Sequence, residues 1–352
     1  MKINFRFFSG LFLLVFLISC AGQEQPVREV QNTETQLKEQ NGGHFVYSLY
    51  ENTENGSFQI YRDGEKFSSF RIDKCCKPLS MKLYSGDCYI LVSQTQPDSV
   101  KKVSEIYKNG RSVMYFQADF SASDFEVQNG HFFVLGGFSD TTVTVFRDGL
   151  RKISIKGKGL KPSKIAVSGD DVYFAAEKNS VTEIYKNGEK IFDIPALNCT
   201  CFDVCGDNVY VMAGGKIYRD GKIFMSGNVY YKFFDNNLNA AAPECFSANG
   251  TRCYIGVNSL MENSKKRYAT VFEDKEHFNT VKPDDKPLGK SEFQTRCRAV
   301  SACNSGVYYV TQNVNPDKNK VQNIYHYYFN TEEMFKIEPM SEKVKLLYIK
   351  GK

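Results

Sequence analysis

From residue 43 onward the apolar positions fall into short runs, rich in β-branched and aromatic residues. Each run is bounded by Asn, Asp, Gly or Ser, a pattern that predicts strands and turns rather than helices. Five runs end the same way: Ile60-Tyr61-Arg62-Asp63-Gly64, Ile106-Tyr107-Lys108-Asn109-Gly110, Val145-Phe146-Arg147-Asp148-Gly149, Ile184-Tyr185-Lys186-Asn187-Gly188 and Ile217-Tyr218-Arg219-Asp220-Gly221. Asn-Gly and Asp-Gly tolerate φ > 0 at both central positions, so each predicts a tight β-hairpin. A second unit is a polar turn running into a buried strand, as in Ser85-Gly86-Asp87-Cys88-Tyr89-Ile90-Leu91 and Cys205-Gly206-Asp207-Asn208-Val209-Tyr210-Val211. One repeat therefore reads strand A, polar turn, strand B, loop, strand C, Asx-Gly turn, strand D. Returning roughly every 40 residues, it predicts an all-β propeller with four antiparallel strands per blade.

The number of blades follows from the ends of the repeat. Val271-Phe272-Glu273-Asp274-Lys275 and Tyr328-Phe329-Asn330-Thr331 stand where the clear turns stand, as two degenerate repeats. The first unit has no strand A, because Gly42-Gly43-His44-Phe45-Val46-Tyr47 already reads as strand B. The C-terminus carries a surplus strand, Val344-Lys345-Leu346-Leu347-Tyr348-Ile349-Lys350-Gly351. The expectation is seven blades, with the ring closed by the C-terminal strand completing blade one, which removes two exposed edges. Length alone would suggest two domains; the repeat overrides it and predicts one propeller domain over 43–352.

The first residues follow a different pattern. Met1 to Arg6 is basic, and an apolar run from Phe7 to Ile18 follows. That run is too short to span a bilayer and has the parts of a secretory signal. Leu17-Ile18-Ser19-Cys20 looks like a bacterial lipobox, which implies cleavage after residue 19 and lipid attachment to Cys20. Residues 20–42 read as a lipidated, flexible tether, rich in Gln, Glu, Asn and Thr. The expected location is the outer membrane, by a lipid anchor, facing either the periplasm or the exterior. Net charge is +5, and two less once Lys2 and Arg6 leave with the leader. So small a charge, with no basic helix, argues against nucleic acid.

Residues 43–352 resemble uncharacterised bacterial β-propeller lipoproteins built from repeated Tyr-x-Asn/Asp-Gly and Val-Tyr-Val-x-Gly blades. The resemblance is to a repeat style, and it implies a lipid-anchored propeller without an assigned activity. Trp-Asp repeats and sialidase Asp boxes both need Trp, and the chain has none.

Candidate chemistry is sparse. There are four histidines, and His44 and His131 are equivalent starts of strand B in blades one and three, a relation that repeat homology explains. No HExxH, GxSxG or Walker loop occurs. Gly-Asp-Asp at 169–171 and Gly-Asp-Asn at 206–208 read as turn formers rather than calcium loops, which need six to eight converging oxygens. The repeated Tyr61, Tyr107, Tyr185 and Tyr218 read as packing between blades rather than as a sugar platform. No catalytic residue, metal or cofactor is expected. Among 11 cysteines, Cys201 and Cys245 fall at equivalent positions of neighbouring inner strands and form a candidate bridge. Cys245 with Cys253, across one hairpin, is the rival, and buried free thiols are the third reading.

Uneven length is confined to one face. The connections around 94–104, 258–269 and 312–323 are long and carry Lys101, Lys102, Lys265, Lys266, Arg267, Lys318 and Lys320. Such loops on a repeat scaffold are where binding sits, and a basic rim suits an anionic partner. The expected function is a monomeric, non-enzymatic envelope scaffold that binds a protein or glycan. Two rivals remain: a glycan hydrolase or lyase with carboxylates in the central funnel, and a structural partner in outer-membrane protein assembly.

Overall fold

The computed structural model describes residues 45–351 apart from 73–75, 96–101, 117–118, 139–140, 228, 234–235, 250–251, 262–266, 283–293, 315–323 and 339–343. The leader, Cys20 and the tether lie outside the described residues. The strands run as the repeat predicts. Blade one holds β1 (Val46–Asn52), β2 (Ser57–Arg62) and β3 (Glu65–Arg71), and blade two β4 (Cys76–Tyr84), β5 (Asp87–Thr95), β6 (Lys102–Lys108) and β7 (Arg111–Phe116). Blade three holds β8 (Phe120–Gln128), β9 (His131–Phe138), β10 (Thr142–Arg147) and β11 (Leu150–Lys156). Blade four holds β12 (Lys161–Ser168), β13 (Asp171–Lys178), β14 (Val181–Lys186) and β15 (Glu189–Ile194). Blade five holds β16 (Cys201–Cys205), β17 (Asn208–Ala213), β18 (Lys216–Arg219) and β19 (Lys222–Met225). Blade six adds a short β20 (Val229–Phe233) to β21 (Asn236–Asn249), β22 (Arg252–Met261), β23 (Arg267–Glu273) and β24 (Glu276–Val281). Blade seven holds β25 (Gln294–Cys303), β26 (Gly306–Val314), β27 (Ile324–Phe329) and β28 (Glu332–Ile337), and β29 (Val344–Gly351) ends the chain.

The seven blades form a closed ring. Strand β29 pairs antiparallel with β1, Val46 opposite Gly351 and Asn52 opposite Val344, and gives the order β29-β1-β2-β3. The first blade is thus completed by the last strand. Blades six and seven are further joined at one point, where Arg267 of β23 pairs in parallel with Gln294 of β25.

No blade has a core of its own. Strand B is buried on both faces, as in Val172 to Ala176 of β13. Its alternate side chains enter different clusters: Tyr173 and Ala175 pack toward blade five, Phe174 and Ala176 toward blade three. Seven apolar clusters among the described residues fill the seven gaps between neighbouring blades. The repeated tyrosines belong to these gaps: Tyr107 stacks on Phe70 of blade one with ring centroids 5.2 Å apart.

One polar device recurs in all seven blades. The Asx of each C–D turn has φ between 49° and 55°. In that conformation its backbone N–H donates to the carbonyl of a residue at the start of strand B, the first residue in blade one and the second in the others, and its side-chain Oδ1 accepts that residue's N–H. The pairs are Asp63 with Val46, Asn109 with Cys88, Asp148 with Phe132, Asn187 with Val172, Asp220 with Val209, Asp274 with Cys253 and Asn330 with Val307. The two degenerate turns therefore keep the residue that matters. What they lose is the following glycine: Lys275 holds φ 119°, a region costly for a side chain.

The outer strands carry a second repeated device. In every blade strand D bulges by one residue opposite the turn's aromatic, at Phe67, Val113, Lys152, Ile191, Phe224, Phe278 and Met334. A bulge twists an exposed edge away from pairing with another chain.

The clamp sets a stability prediction. Asn187→Gly keeps the left-handed turn but strips the acceptor from Val172 N–H, at a cost of about 1–3 kcal/mol. Asn187→Ala loses the acceptor and adds roughly 1–2 kcal/mol of left-handed strain. Urea unfolding should rank wild type above the Gly variant and the Gly variant above the Ala variant; two variants as stable as wild type would contradict the clamp.

Candidate functional site

The inner strands bring charge to the ring's centre. Read by their partners on strand B, Lys82, Glu126, Ala166, Asp203, Ser247, Ser301 and Lys350 are register equivalents, each opposite a tyrosine or phenylalanine. Two residues earlier along each inner strand stand Ser80, Asp124, Lys164, Cys201, Cys245, Ala299 and Tyr348. In six blades a bulge separates this second set from the rest of its strand, at Leu79, Ser123, Ser163, Glu244, Arg298 and Leu347.

Six of these side chains are charged, and they balance: Lys82, Lys164 and Lys350 against Asp124, Glu126 and Asp203. Lys82 Nζ contacts Glu126 Oε2 at 2.5 Å, with side-chain exposures of 15% and 23%. Burial pulls the Lys82 ammonium down, but Glu126, then Asp124, more than reverse this, and its pKa is raised. Burial pushes the Asp203 carboxyl above its ordinary range, against the pull of Lys350, Ala248 N–H and Lys82. Groups from blades one, two and five act on each other, so the cluster spans the axis.

Each carboxylate is already engaged. Asp124 Oδ1 accepts from Phe125 N–H, and its Oδ2 from Ile165 N–H of the next blade at 3.2 Å. Asp203 repeats this, accepting from Val204 N–H and, at 3.0 Å, from Ala248 N–H of the next blade. Glu126 Oε1 accepts from Val127 N–H. Other gaps use other groups: Ser104 Oγ accepts from Ala122 N–H, Glu177 Oε1 from Cys199 N–H, Asn258 Oδ1 from Cys297 N–H and Ser301 Oγ from Gly351 N–H. Tyr348 donates to Leu79 O at 2.7 Å, and the Tyr50 and Tyr327 hydroxyls share a 2.5 Å hydrogen bond. The axial carboxylates are thus polar stitches between blades, where a funnel hydrolase would need a converging pair free to meet a sugar.

A concavity of about 340 Å³ lies between blades six and seven on the face of the tight turns. It is lined by Asn249, Arg252, Tyr254 and Cys303 to Gly306. Its one cation, Arg252, is paired with Glu273 at 3.2 Å.

The residues singled out from the sequence divide into three groups. Lys101, Lys265, Lys266, Lys318 and Lys320 lie outside the described residues, as does Cys20. Lys102 opens β6 and Arg267 opens β23, where Arg267 is exposed. The cysteines can be placed: Cys253 is buried with Cys205 in the gap between blades five and six, and Cys201 packs against the same cluster. Cys245 packs into the next gap, between blades six and seven. There its Sγ lies 4.0 Å from Cys297 Sγ, a neighbour that sequence spacing did not single out. All are free thiols in this structure. The described histidines serve their own blades: His131 contacts Asp148 at 2.6 Å, His277 contacts Thr280 at 2.8 Å, and His326 contacts Glu333 at 3.2 Å. Among the described residues no three His, Cys, Asp or Glu side chains are arranged to hold a metal.

No protein-family model and no curated protein matches the sequence. Among solved structures the chain is similar to BBS1N, crystallised in complex with ARL6DN, at 12% identity over 79% of this chain and 90% of that one, with a TM-score of 0.47. It is also similar to apo AztD from Citrobacter koseri, at 8% identity over 88% of this chain and 97% of that one, TM-score 0.43. BamB from Moraxella catarrhalis matches at 8% identity over 75% of this chain and 90% of that one, TM-score 0.38. Similarity at this level carries no activity across, and the fold assignment rests on the strand pairing itself.

The axial pair gives a test of the stitching role. Lys82→Met should cost about 3–5 kcal/mol, because it leaves Glu126 charged and largely buried, while Lys82→Met with Glu126→Leu should recover most of that. The raised lysine pKa stabilises fully below its unfolded value and loses this contribution as pH climbs through the folded one. The double variant should therefore show a shallower alkaline loss of stability than wild type. Equal losses in denaturant midpoint for single and double variants would contradict a paired, buried role.

Proposed function

We propose that the chain is a lipid-anchored, non-enzymatic envelope scaffold whose ring presents loops to a protein or glycan partner. The observation that supports this reading is the self-neutralised axis. Three lysines balance three carboxylates there, and the carboxylates accept backbone N–H groups instead of facing an open pocket. A closed, stitched centre moves recognition to the periphery.

The periphery is uneven in one direction only. The B–C connections of blades four and five are residues 179–180 and 214–215, whereas those of blades two, six and seven are 96–101, 262–266 and 315–323. These three blades and blade one are consecutive around the ring, so the longer connections leave from one half of it. They leave from the strand ends opposite the clamped turns, and they carry Lys101, Lys265, Lys266, Lys318 and Lys320. Lysines on such connections favour an anionic partner surface. The anchor in this reading is Cys20, behind the apolar run from Phe7 to Ile18, on the outer membrane.

Two experiments test it. Cys20→Ala should abolish incorporation of labelled palmitate, and incorporation at the wild-type level would overturn the anchor. Shortening any one of the three connections to two residues should weaken partner capture by at least severalfold after mild cross-linking of the intact lipoprotein. The melting temperature should hardly move, since halving a loop changes closure entropy by only about 0.6 kcal/mol. Raising the salt should weaken capture as well. Unchanged capture by all three shortened proteins, at low and high salt, would contradict the reading.

A further inference from the structure

Blade six breaks the repeat at one buried position. Opposite the second set of axial residues, strand B carries Leu49, Leu91, Leu135, Ala175, Met212 and Val310 in the other six blades. Every one is a buried apolar side chain. Blade six has Gly256 there, paired with Cys245. The backbone does not call for glycine, since Gly256 has no left-handed φ. The space does: a Cβ on Gly256 would stand 2.5 Å from Cys297 Sγ and 2.7 Å from Cys245 Sγ. Two sulfurs from neighbouring inner strands occupy the volume that a side chain fills in every other blade.

The surrounding polar contacts hold those two strands in register. Cys297 N–H donates to Asn258 Oδ1 at 2.9 Å, and Asn258 Nδ2 donates to Glu244 Oε1 at 2.9 Å. Blade seven's inner strand is therefore tied to β22, the strand that carries Gly256, and through Asn258 to β21, the strand that carries Cys245. The two sulfurs lie 4.0 Å apart. Closing the pair would bring them to roughly 2.05 Å, in the space that the missing Gly256 side chain leaves to the two sulfurs.

We propose that Cys245 and Cys297 are a redox pair that closes into a disulfide between blades six and seven. The oxidant is a disulfide, either of a small thiol or of a disulfide oxidoreductase. Cys245, the more exposed of the two, loses its proton and attacks one sulfur of that disulfide, expelling a thiolate and forming a mixed disulfide. Cys297 then loses its proton and attacks the Cys245 sulfur, expelling the second thiolate. Two protein thiols become one disulfide, and the oxidant's disulfide becomes two thiols. The hydrogen bond with Cys297, and then burial, hold the Cys245 thiol above its ordinary pKa, so the first attack is slow at neutral pH without a catalyst. The consequence is a covalent tie across one of the seven gaps, whatever the ring binds.

The full chain tests this directly. It is treated with oxidised glutathione plus a disulfide oxidoreductase, or with dithiothreitol, then unfolded in N-ethylmaleimide, digested and mapped by mass spectrometry. The expected result is a linked peptide pair carrying Cys245 and Cys297 only in the oxidised sample, lighter than the two free peptides by two hydrogens. Cys88, Cys199, Cys205 and Cys253 should be alkylated in both samples. The oxidised protein should melt at a higher temperature than the reduced one, and Cys245→Ala and Cys297→Ala should each abolish that difference. Full alkylation of Cys245 and Cys297 after oxidation, or a link from Cys245 to Cys201, would overturn the proposal.

Discussion

The structure depends on the double hydrogen bond between the Asx of each C–D turn and a residue at the start of strand B. It spans a whole blade, from the third turn back to the beginning of the second strand. It requires φ near +50°, which Asn and Asp adopt at lower cost than other side chains. It also requires a short acceptor that can reach a backbone N–H, which glycine lacks. That is why the clamped turn residue is Asn or Asp in all seven blades, and why the glycine that follows it can be lost in blades six and seven. The clamp fixes where strand B starts, and a one-residue slip there would turn every side chain to the wrong gap.

With the register fixed, the alternation of strand B distributes its side chains between two neighbouring gaps, and apolar burial holds the ring by contacts between blades. The centre then poses a different problem. Inner strands run along an edge of their blades, and N–H groups on that edge have no strand to pair with. Asp124 and Asp203 accept such N–H groups from the following blade, and lysines from other blades cancel their charge. Asp124, Glu126 and Asp203 are thus bonded within the ring.

Much of this was legible in the sequence, because the determining signals are local. Asn-Gly and Asp-Gly name the turns, the two degenerate turns keep their Asx, and the missing strand A at one end matches the surplus strand at the other. The bulges were not legible, since no residue type marks them: Leu79, Ser123, Glu244 and Arg298 occupy one structural position. The stitching role of Asp124 and Asp203 was hidden for the same reason, as it depends on which backbone a neighbouring blade presents. The meeting of Cys245 with Cys297 depends on a glycine in a third strand, and spacing along the chain carries no trace of it. The basic residues of the long connections were legible as sequence, and their partner was not.

The ring is closed by its own last strand, and native-state hydrogen exchange measures that closure most directly. If β29 completes blade one, the hydrogen-bonded amides of residues 344–351 and 46–52 exchange only with global unfolding, as slowly as those of β9 and β13 and with the same denaturant dependence. Exchange of 344–351 orders of magnitude faster than β9 and β13, at a free energy near zero, would mean that the last strand is loosely held and that the ring is not closed.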